Sequence, residues 1–226
     1  RRRPSPLGRD GRVHGVSVTL DRLRPLAERG LDPFVGAADR VGLTPDGVSV
    51  VAIGFAVLAG GAYAVAGAEL WGIGPVPALY PVGAAFVFLN GWMDLVDGAL
   101  ARRQGVDSVS GDLLDHVLDR YADIVVIAGL AAGAEAYLLG FLAVTGVLMT
   151  SYLGTQAQAV GLDRVYGGLV GRADRLAVIG SVTALSPVVA GSVAGYSPVG
   201  WLLGFLAAVG HLTALQRFSA AMGALE

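Results

Sequence analysis

Six aspartates lie close together near the middle of a chain that is otherwise strongly apolar. They are Asp94, Asp97, Asp112, Asp115, Asp119 and Asp123. Asp94 and Asp97 are three residues apart, and Asp115 and Asp119 are four apart, so each pair shares one face of a helix. The stretch between the pairs, residues 98–111, is short. We therefore expect two antiparallel neighbouring helices on which the four carboxylates converge.

Carboxylates at such close range repel one another and need cations unless they are protonated. Their oxygens are hard ligands that suit Mg²⁺, Mn²⁺ or Ca²⁺. Two ions could hold a pyrophosphate and stabilise the attacking and leaving oxygens of a phosphoryl transfer. Gly98 and Gly111 leave room for a nucleotide near the backbone, and the guanidinium of Arg102 can bind a phosphate in a bidentate manner. This pattern predicts metal-dependent phosphoryl chemistry.

The composition predicts an all-α integral membrane protein. Of the 226 residues, 54% are hydrophobic and only 15% are charged, whereas soluble domains average about 25% charged. Six apolar segments are each about long enough to cross some 30 Å of hydrocarbon, and we expect Pro187 to kink the fifth. The predicted spans are 47–68, 75–99, 113–133, 136–159, 174–194 and 198–220. A net charge of −2 without a basic face argues against a nucleic-acid partner.

The arginines predict the orientation in the membrane. Nine precede the first span, and others follow the second and fourth spans, whereas the loops near Glu69, Glu135 and Ser192 hold none. By the positive-inside rule, both termini and the aspartate cluster face the cytoplasm. The first 40 residues lack a continuous apolar stretch, so no secretory signal peptide is expected there.

Residues 17–43 alternate apolar and charged side chains. This pattern predicts an amphipathic helix in the membrane interface, broken between Gly30 and Pro33. The alternative is a soluble helical pair packed on the cytoplasmic face. Thr44 before Pro45 is a helix-start signal. We expect a cytoplasmic tail and juxtamembrane helix over residues 1–46, and a six-helix transmembrane catalytic domain over residues 47–226.

The aspartate segment resembles the signature of the CDP-alcohol phosphotransferase family, D-x-x-D-G-x-x-A-R, about eight residues, then G-x-x-x-D-x-x-x-D. Every fixed position is matched, namely by Asp94, Asp97, Gly98, Ala101, Arg102, Gly111, Asp115 and Asp119. The six spans, the N-terminal interfacial helix and the sequence Leu43-Thr44-Pro45-Asp46 are also similar to this family. The resemblance points to a phospholipid head-group synthase of archaeal or actinobacterial type.

The resemblance also implies roles for individual residues. Two Mg²⁺ or Mn²⁺ ions would be bound by Asp94, Asp97, Asp115 and Asp119, and Asp119 would also be the general base. The CDP pocket would consist of Asp94, Asp97, Gly98, Ala101, Arg102, Gly111 and Asp115. The acceptor alcohol would attack the β-phosphorus of a CDP-linked lipid, and CMP would leave. Relatives of this kind are commonly homodimers.

A second polar cluster is expected at the same membrane depth. Its candidate acceptor-binding residues are Arg164, Arg172, Arg175 and Gln156, and the alternative is a set of ordinary positive-inside arginines. The Arg172–Arg175 segment resembles the Arg-rich segment of members that use inositol phosphate. Those members often carry basic residues where this chain has none at 154–158, so glycerol phosphate, serine and other polar alcohols stay open. The donor lipid could be based on diacylglycerol or archaeol.

Three neighbouring side chains have less defined roles. Asp112 and Asp123 could support the site or pair with Arg103 or Arg120, and His116 is expected to be packed or hydrogen-bonded rather than a metal ligand.

Two other functions compete with the lipid transferase. One is the same chemistry with a CDP-linked small alcohol as donor. The other is a transporter or channel, which would usually show repeat symmetry that this chain lacks.

Overall fold

The computed structural model describes residues 24–70, 72–106, 108–162, 169–189 and 191–226. Within these ranges the chain forms seven α-helices and no β-strand, which confirms the predicted all-α class. The helices are α1 (Arg24–Arg40), α2 (Pro45–Gly67), α3 (Leu79–Gln104), α4 (Val109–Gly133), α5 (Tyr137–Ala159), α6 (Arg172–Leu185) and α7 (Pro198–Leu225).

Short polar side chains set the first residues of the helices near the aspartates. The Thr44 hydroxyl accepts a hydrogen bond from the Gly47 amide at 3.1 Å, so the predicted helix start at this residue is confirmed. Ser108 caps α4 in the same way, accepting from the Gly111 amide at 3.0 Å. Such caps satisfy amide groups that the helix itself leaves unpaired. The cap at Ser108 places Gly111 in the first turn of α4.

Helix α1 differs from the prediction, because it continues through Gly30 and Pro33 without a break. The expected break is therefore wrong. Leu31, Val35 and Ala38 are buried on one face of α1, in a cluster with Val96 and Leu100 of α3. This apolar contact offsets the loss of the single backbone hydrogen bond that a proline cannot donate.

Among the described residues, helices α3 and α4 do not pack closely on each other, contrary to the prediction; both pack closely against α2 instead. Small residues explain the change, since they let helix backbones approach. A Cβ atom at Gly60 of α2 would lie 2.6 Å from the Val125 carbonyl oxygen of α4. A Cβ atom at Gly83 of α3 would overlap the ring of Tyr63 of α2. Helix α2 thus lies against both aspartate-bearing helices and leaves a cleft between them.

The other helices complete the bundle around this cleft. Helix α6 packs against α3 and α7, and α5 packs against α4 and α7. The buried Tyr63 hydroxyl is 2.9 Å from the Thr183 hydroxyl, which ties α2 to α6. Because α6 packs beside α3, its first turn reaches the end of the cleft where the aspartates lie.

Four of the described helices, α2, α3, α5 and α7, are long and apolar enough to cross a membrane. Large apolar side chains such as Phe88 and Phe141 are 65% and 64% exposed on their outer faces, as expected for an integral membrane protein in lipid. Helix α6 has only 14 residues and ends at Leu185. The predicted kink at Pro187 is therefore wrong, since this proline follows the helix.

Candidate active site

Aspartates from α3 and α4 meet at the guanidinium group of Arg172, the first residue of α6. The Arg172 guanidinium contacts a carboxylate oxygen of Asp94 and lies 2.8 Å from one of Asp119. Its Nε atom is 4.0 Å from the Asp123 carboxylate. Carboxylates that are 25 residues apart in sequence therefore share one counter-ion across the cleft.

The other two motif aspartates lie on the side of the cleft that faces α2. Asp97 is buried, and its carboxylate accepts a hydrogen bond of 2.8 Å from the hydroxyl of Ser49 in α2. Asp115 is more open, with 39% of its side chain exposed. Ser49 was not singled out from the sequence, because a serine one turn into an apolar helix carries no distinctive signal. The contact fixes the Asp97 carboxylate relative to α2.

A cavity of about 520 Å³ adjoins these carboxylates. Five of the seven predicted CDP-binding residues line it, namely Asp97, Gly98, Ala101, Gly111 and Asp115. The lining also includes Thr44, Pro45, Asp46, Ser49, Gln104, Val106, Ser108 and Asp112. The first turns of α2 and α4 thus both border the cavity. Helix N-termini favour anions such as phosphates, whereas the four carboxylates in the lining would require bound cations before a nucleotide pyrophosphate could enter.

The remaining two predicted CDP-binding residues lie outside this lining. Asp94 lies on the Arg172 side of the cleft. Arg102 lines a second groove of about 390 Å³ between α1 and α3. Its guanidinium stays close to the motif, because a Cβ atom at Gly98 would lie 3.5 Å from Arg102 Nη1. Arg102 is therefore adjacent to the larger cavity.

Asp123 and Arg175 form an ion pair behind the motif aspartates. The two side chains are 3% and 7% exposed, and the Arg175 Nη2 atom is 2.6 Å from the Asp123 carboxylate. Arg120 Nη1 is 3.7 Å from the same carboxylate, as the sequence suggested. The other suggested partner, Arg103, instead pairs with Asp39 at 3.4 Å. Asp123 thus holds α4 to α6.

The predicted acceptor-binding residues occupy different positions. Arg172 contacts the motif aspartates, and Arg175 is buried against Asp123. Gln156 is exposed in the last turn of α5, and Arg164 lies outside the described residues. His116, near the start of α4, places Nδ1 2.7 Å from the backbone oxygen of Asp112.

The donor set of the cleft fits hard divalent cations, because every candidate ligand is a carboxylate oxygen. Among the described residues, no three acidic, histidine or cysteine side chains are already grouped as metal ligands. The Arg172 guanidinium instead lies between Asp94 and Asp119, and Arg120 Nη2 lies 3.5 Å from the Asp119 carboxylate. Two arginines thus supply the positive charge beside these carboxylates.

A membrane-type helical bundle with spaced aspartates beside a cavity of about 520 Å³ is the arrangement expected of a membrane transferase of substituted phosphate groups. The sequence profile of the CDP-alcohol phosphatidyltransferase family matches residues 43–210 of this chain. The chain belongs to this family.

Relatives and solved structures support the same assignment. An archaetidylinositol phosphate synthase from Methanothermobacter thermautotrophicus is 34% identical over 88% of this chain and 91% of its own length. A phosphatidylinositol phosphate synthase from Mycolicibacterium smegmatis is 35% identical over 86% of each chain. The crystal structure of the Mycobacterium tuberculosis phosphatidylinositol phosphate synthase with CDP-DAG bound has a TM-score of 0.64. It is 25% identical and is matched over 85% of this chain and 94% of its own.

Another structure of the Mycobacterium tuberculosis enzyme, in complex with manganese and citrate, has a TM-score of 0.69. The match covers 85% of this chain and 88% of that one, at 24% identity. At this identity the likeness concerns the fold.

Proposed function

We propose that the protein transfers a phosphatidyl- or archaetidyl-type group from a CDP-linked lipid to inositol phosphate and releases CMP. The observation that carries the proposal is the cavity, which joins the N-termini of α2 and α4 to the motif residues Asp97, Gly98 and Asp115. Relatives that cover most of the chain are named for synthesis of inositol phosphate lipids. They favour this acceptor over glycerol phosphate and serine.

The carboxylates define the proposed metal site. Two Mg²⁺ or Mn²⁺ ions held by Asp94, Asp97, Asp115 and Asp119 would neutralise the pyrophosphate and acidify the acceptor hydroxyl. The oxygen-only donor set supports this choice of metal, as does the manganese bound to the structural neighbour from Mycobacterium tuberculosis. Ser49 positions Asp97 through its 2.8 Å hydrogen bond.

The remaining steps follow from the placement of the side chains. The CDP moiety occupies the cavity, with Gly98, Ala101 and Gly111 allowing close approach and Arg102 binding phosphate from the adjacent groove. Asp119 accepts the proton of the acceptor hydroxyl. The acceptor oxygen then bonds to the β-phosphorus, and the bond from this phosphorus to the oxygen of CMP breaks. Of the predicted acceptor-binding residues, Arg172 lies beside the motif aspartates and would bind the acceptor phosphate; the roles of Arg164, Arg175 and Gln156 stay predictions.

The membrane arrangement is also part of the proposal. Helices α2 to α7 form six crossings, and both termini and the active site face the cytoplasm, in agreement with the arginine distribution. Helix α6 is about 21 Å long at 1.5 Å per residue, so its crossing includes the turns that follow Leu185. Helix α1 lies in the interface within the segment 1–46, with Phe34 52% exposed towards lipid. A homodimer stays a prediction.

Release of CMP by the purified protein tests the proposed reaction. With Mn²⁺ and a CDP-linked lipid, we expect CMP release with inositol phosphate, and little release with glycerol phosphate, serine or free inositol. Donors built on diacylglycerol and archaeol should be compared side by side. Release only with a CDP-linked small alcohol would replace the proposed donor, and release with a different acceptor would replace inositol phosphate.

A further inference from the structure

The guanidinium of Arg172 lies against two of the four proposed metal-binding carboxylates, Asp94 and Asp119. It contacts Asp94, lies 2.8 Å from Asp119, and places Nε 4.0 Å from Asp123. The Asp94 and Asp119 side chains are each only 17% exposed, and Arg172 is 20% exposed. Buried carboxylates without a counter-charge are costly. The Arg172 guanidinium bridges the two motif helices and offsets their repulsion, and Arg120 adds a second contact to Asp119 at 3.5 Å.

A buried asparagine gives the guanidinium a second contact that involves no carboxylate. Asn90 of α3 is 2% exposed, and its Nδ2 donates to the Ala52 carbonyl of α2 at 3.0 Å. This bond leaves Asn90 Oδ1 pointing to Arg172, 3.4 Å from Nη2. Asn90 can therefore keep Arg172 near the cleft when the carboxylates engage another cation.

Arg175, one turn further along α6, has a different environment. Its partner Asp123 is not a motif aspartate, the contact is 2.6 Å, and both side chains are almost fully buried. Nothing in the proposed reaction requires this pair to separate. Of the two arginines, only Arg172 engages carboxylates that the metal ions also need.

We propose that Arg172 and a divalent ion exclude each other at Asp94 and Asp119, so that metal binding releases the guanidinium to bind the acceptor phosphate. The inference rests on the proposed function, because it takes these aspartates as metal ligands and a phosphorylated alcohol as acceptor. The guanidinium and a divalent ion carry like charges and would contact the same two carboxylates, so each weakens the binding of the other. Strong acceptor binding therefore requires metal to be bound first.

Binding of Mn²⁺ to the metal-stripped protein, without donor or acceptor, tests the exclusion. In Arg172→Gln we expect the Kd of the first Mn²⁺ ion to fall about tenfold, within the usual range of coupling between sites. Arg172→Lys keeps a positive charge, so its affinity for Mn²⁺ should rise less. This second variant tests the inference if the glutamine variant does not fold. Arg103→Gln is the matched control, because Arg103 pairs with Asp39 away from the motif aspartates. Unchanged or weaker Mn²⁺ binding in both Arg172 variants would overturn the inference.

Binding of inorganic phosphate tests the release of the guanidinium. In the wild type, Mn²⁺ should tighten phosphate binding about tenfold or more, and most of this gain should be lost in Arg172→Gln. An equal gain in the variant would mean that phosphate binds the metal alone, and would overturn the release step. CMP release by the same wild-type preparation reports separately on the proposed function. If Arg172→Gln binds Mn²⁺ more tightly but the wild type releases no CMP with any acceptor, the competition between Arg172 and the metal would stand. The proposed transfer reaction would then be wrong.

Discussion

Replacement of Asp119 by asparagine is expected to lower CMP release about 10²–10⁴-fold, the usual contribution of a general base. The loss of a metal ligand adds to this effect. The fold should persist, because asparagine has nearly the same shape and Arg172 still contacts Asp94. The measurement is the initial rate of CMP release at saturating Mn²⁺, together with the thermal unfolding temperature in the same detergent.

The matched control for Asp119→Asn is Glu69→Gln. Glu69 is an exposed carboxylate just beyond the C-terminal end of α2, and the Asp119 cluster lies near the N-terminal end. The same loss of charge should leave CMP release unchanged there. If Asp119→Asn retained a rate within tenfold of the wild type, the assignment of Asp119 as general base would be wrong.

Replacement of Asp123 by asparagine is expected to have its main effect on stability. It leaves Arg175 buried without a counter-charge, and breaking a buried ion pair typically costs about 3–5 kcal/mol. We expect a large fall in the unfolding temperature or a loss of folded protein. Asp112→Asn is the control on the same helix, because 78% of the Asp112 side chain is exposed. Its effect should be about 1 kcal/mol or less, because only an exposed contact with His116 and the interaction with the N-terminus of α4 are lost.

A double variant separates this explanation from a simple loss of packing. When both members of a buried ion pair are made neutral, much of the stability usually returns. Asp123→Asn combined with Arg175→Gln should therefore unfold at a higher temperature than Asp123→Asn alone. A double variant that is less stable than both single variants would contradict the view that Arg175 needs Asp123 as its counter-ion.

Local signals predicted the elements and motif of this protein well. Thr44 before Pro45 indicated the start of α2, because capping depends on residues adjacent in sequence. The spacing of Asp115 and Asp119 placed both on α4, since helical periodicity is also local. Apolar segment lengths gave the approximate positions of α2, α4, α5 and α7.

The contacts between helices were harder to predict. The sequence suggested that α3 and α4 pack directly, but Gly60 and Gly83 allow α2 to approach both. The pairing of Asp123 with Arg175 joins residues 52 positions apart, and no local pattern selects Arg175 over other arginines. Ser49 and Asn90 are ordinary polar residues until tertiary packing brings them to Asp97 and Arg172.

Mass spectrometry of the lipid product tests the central claim most directly. The purified protein would receive Mn²⁺, a CDP-linked lipid and inositol phosphate labelled with ¹⁸O at its reacting hydroxyl. We predict a lipid carrying the inositol phosphate head group with the ¹⁸O retained, and unlabelled CMP, because the acceptor oxygen attacks the β-phosphorus. Label in CMP, or a lipid product without inositol phosphate, would contradict the account.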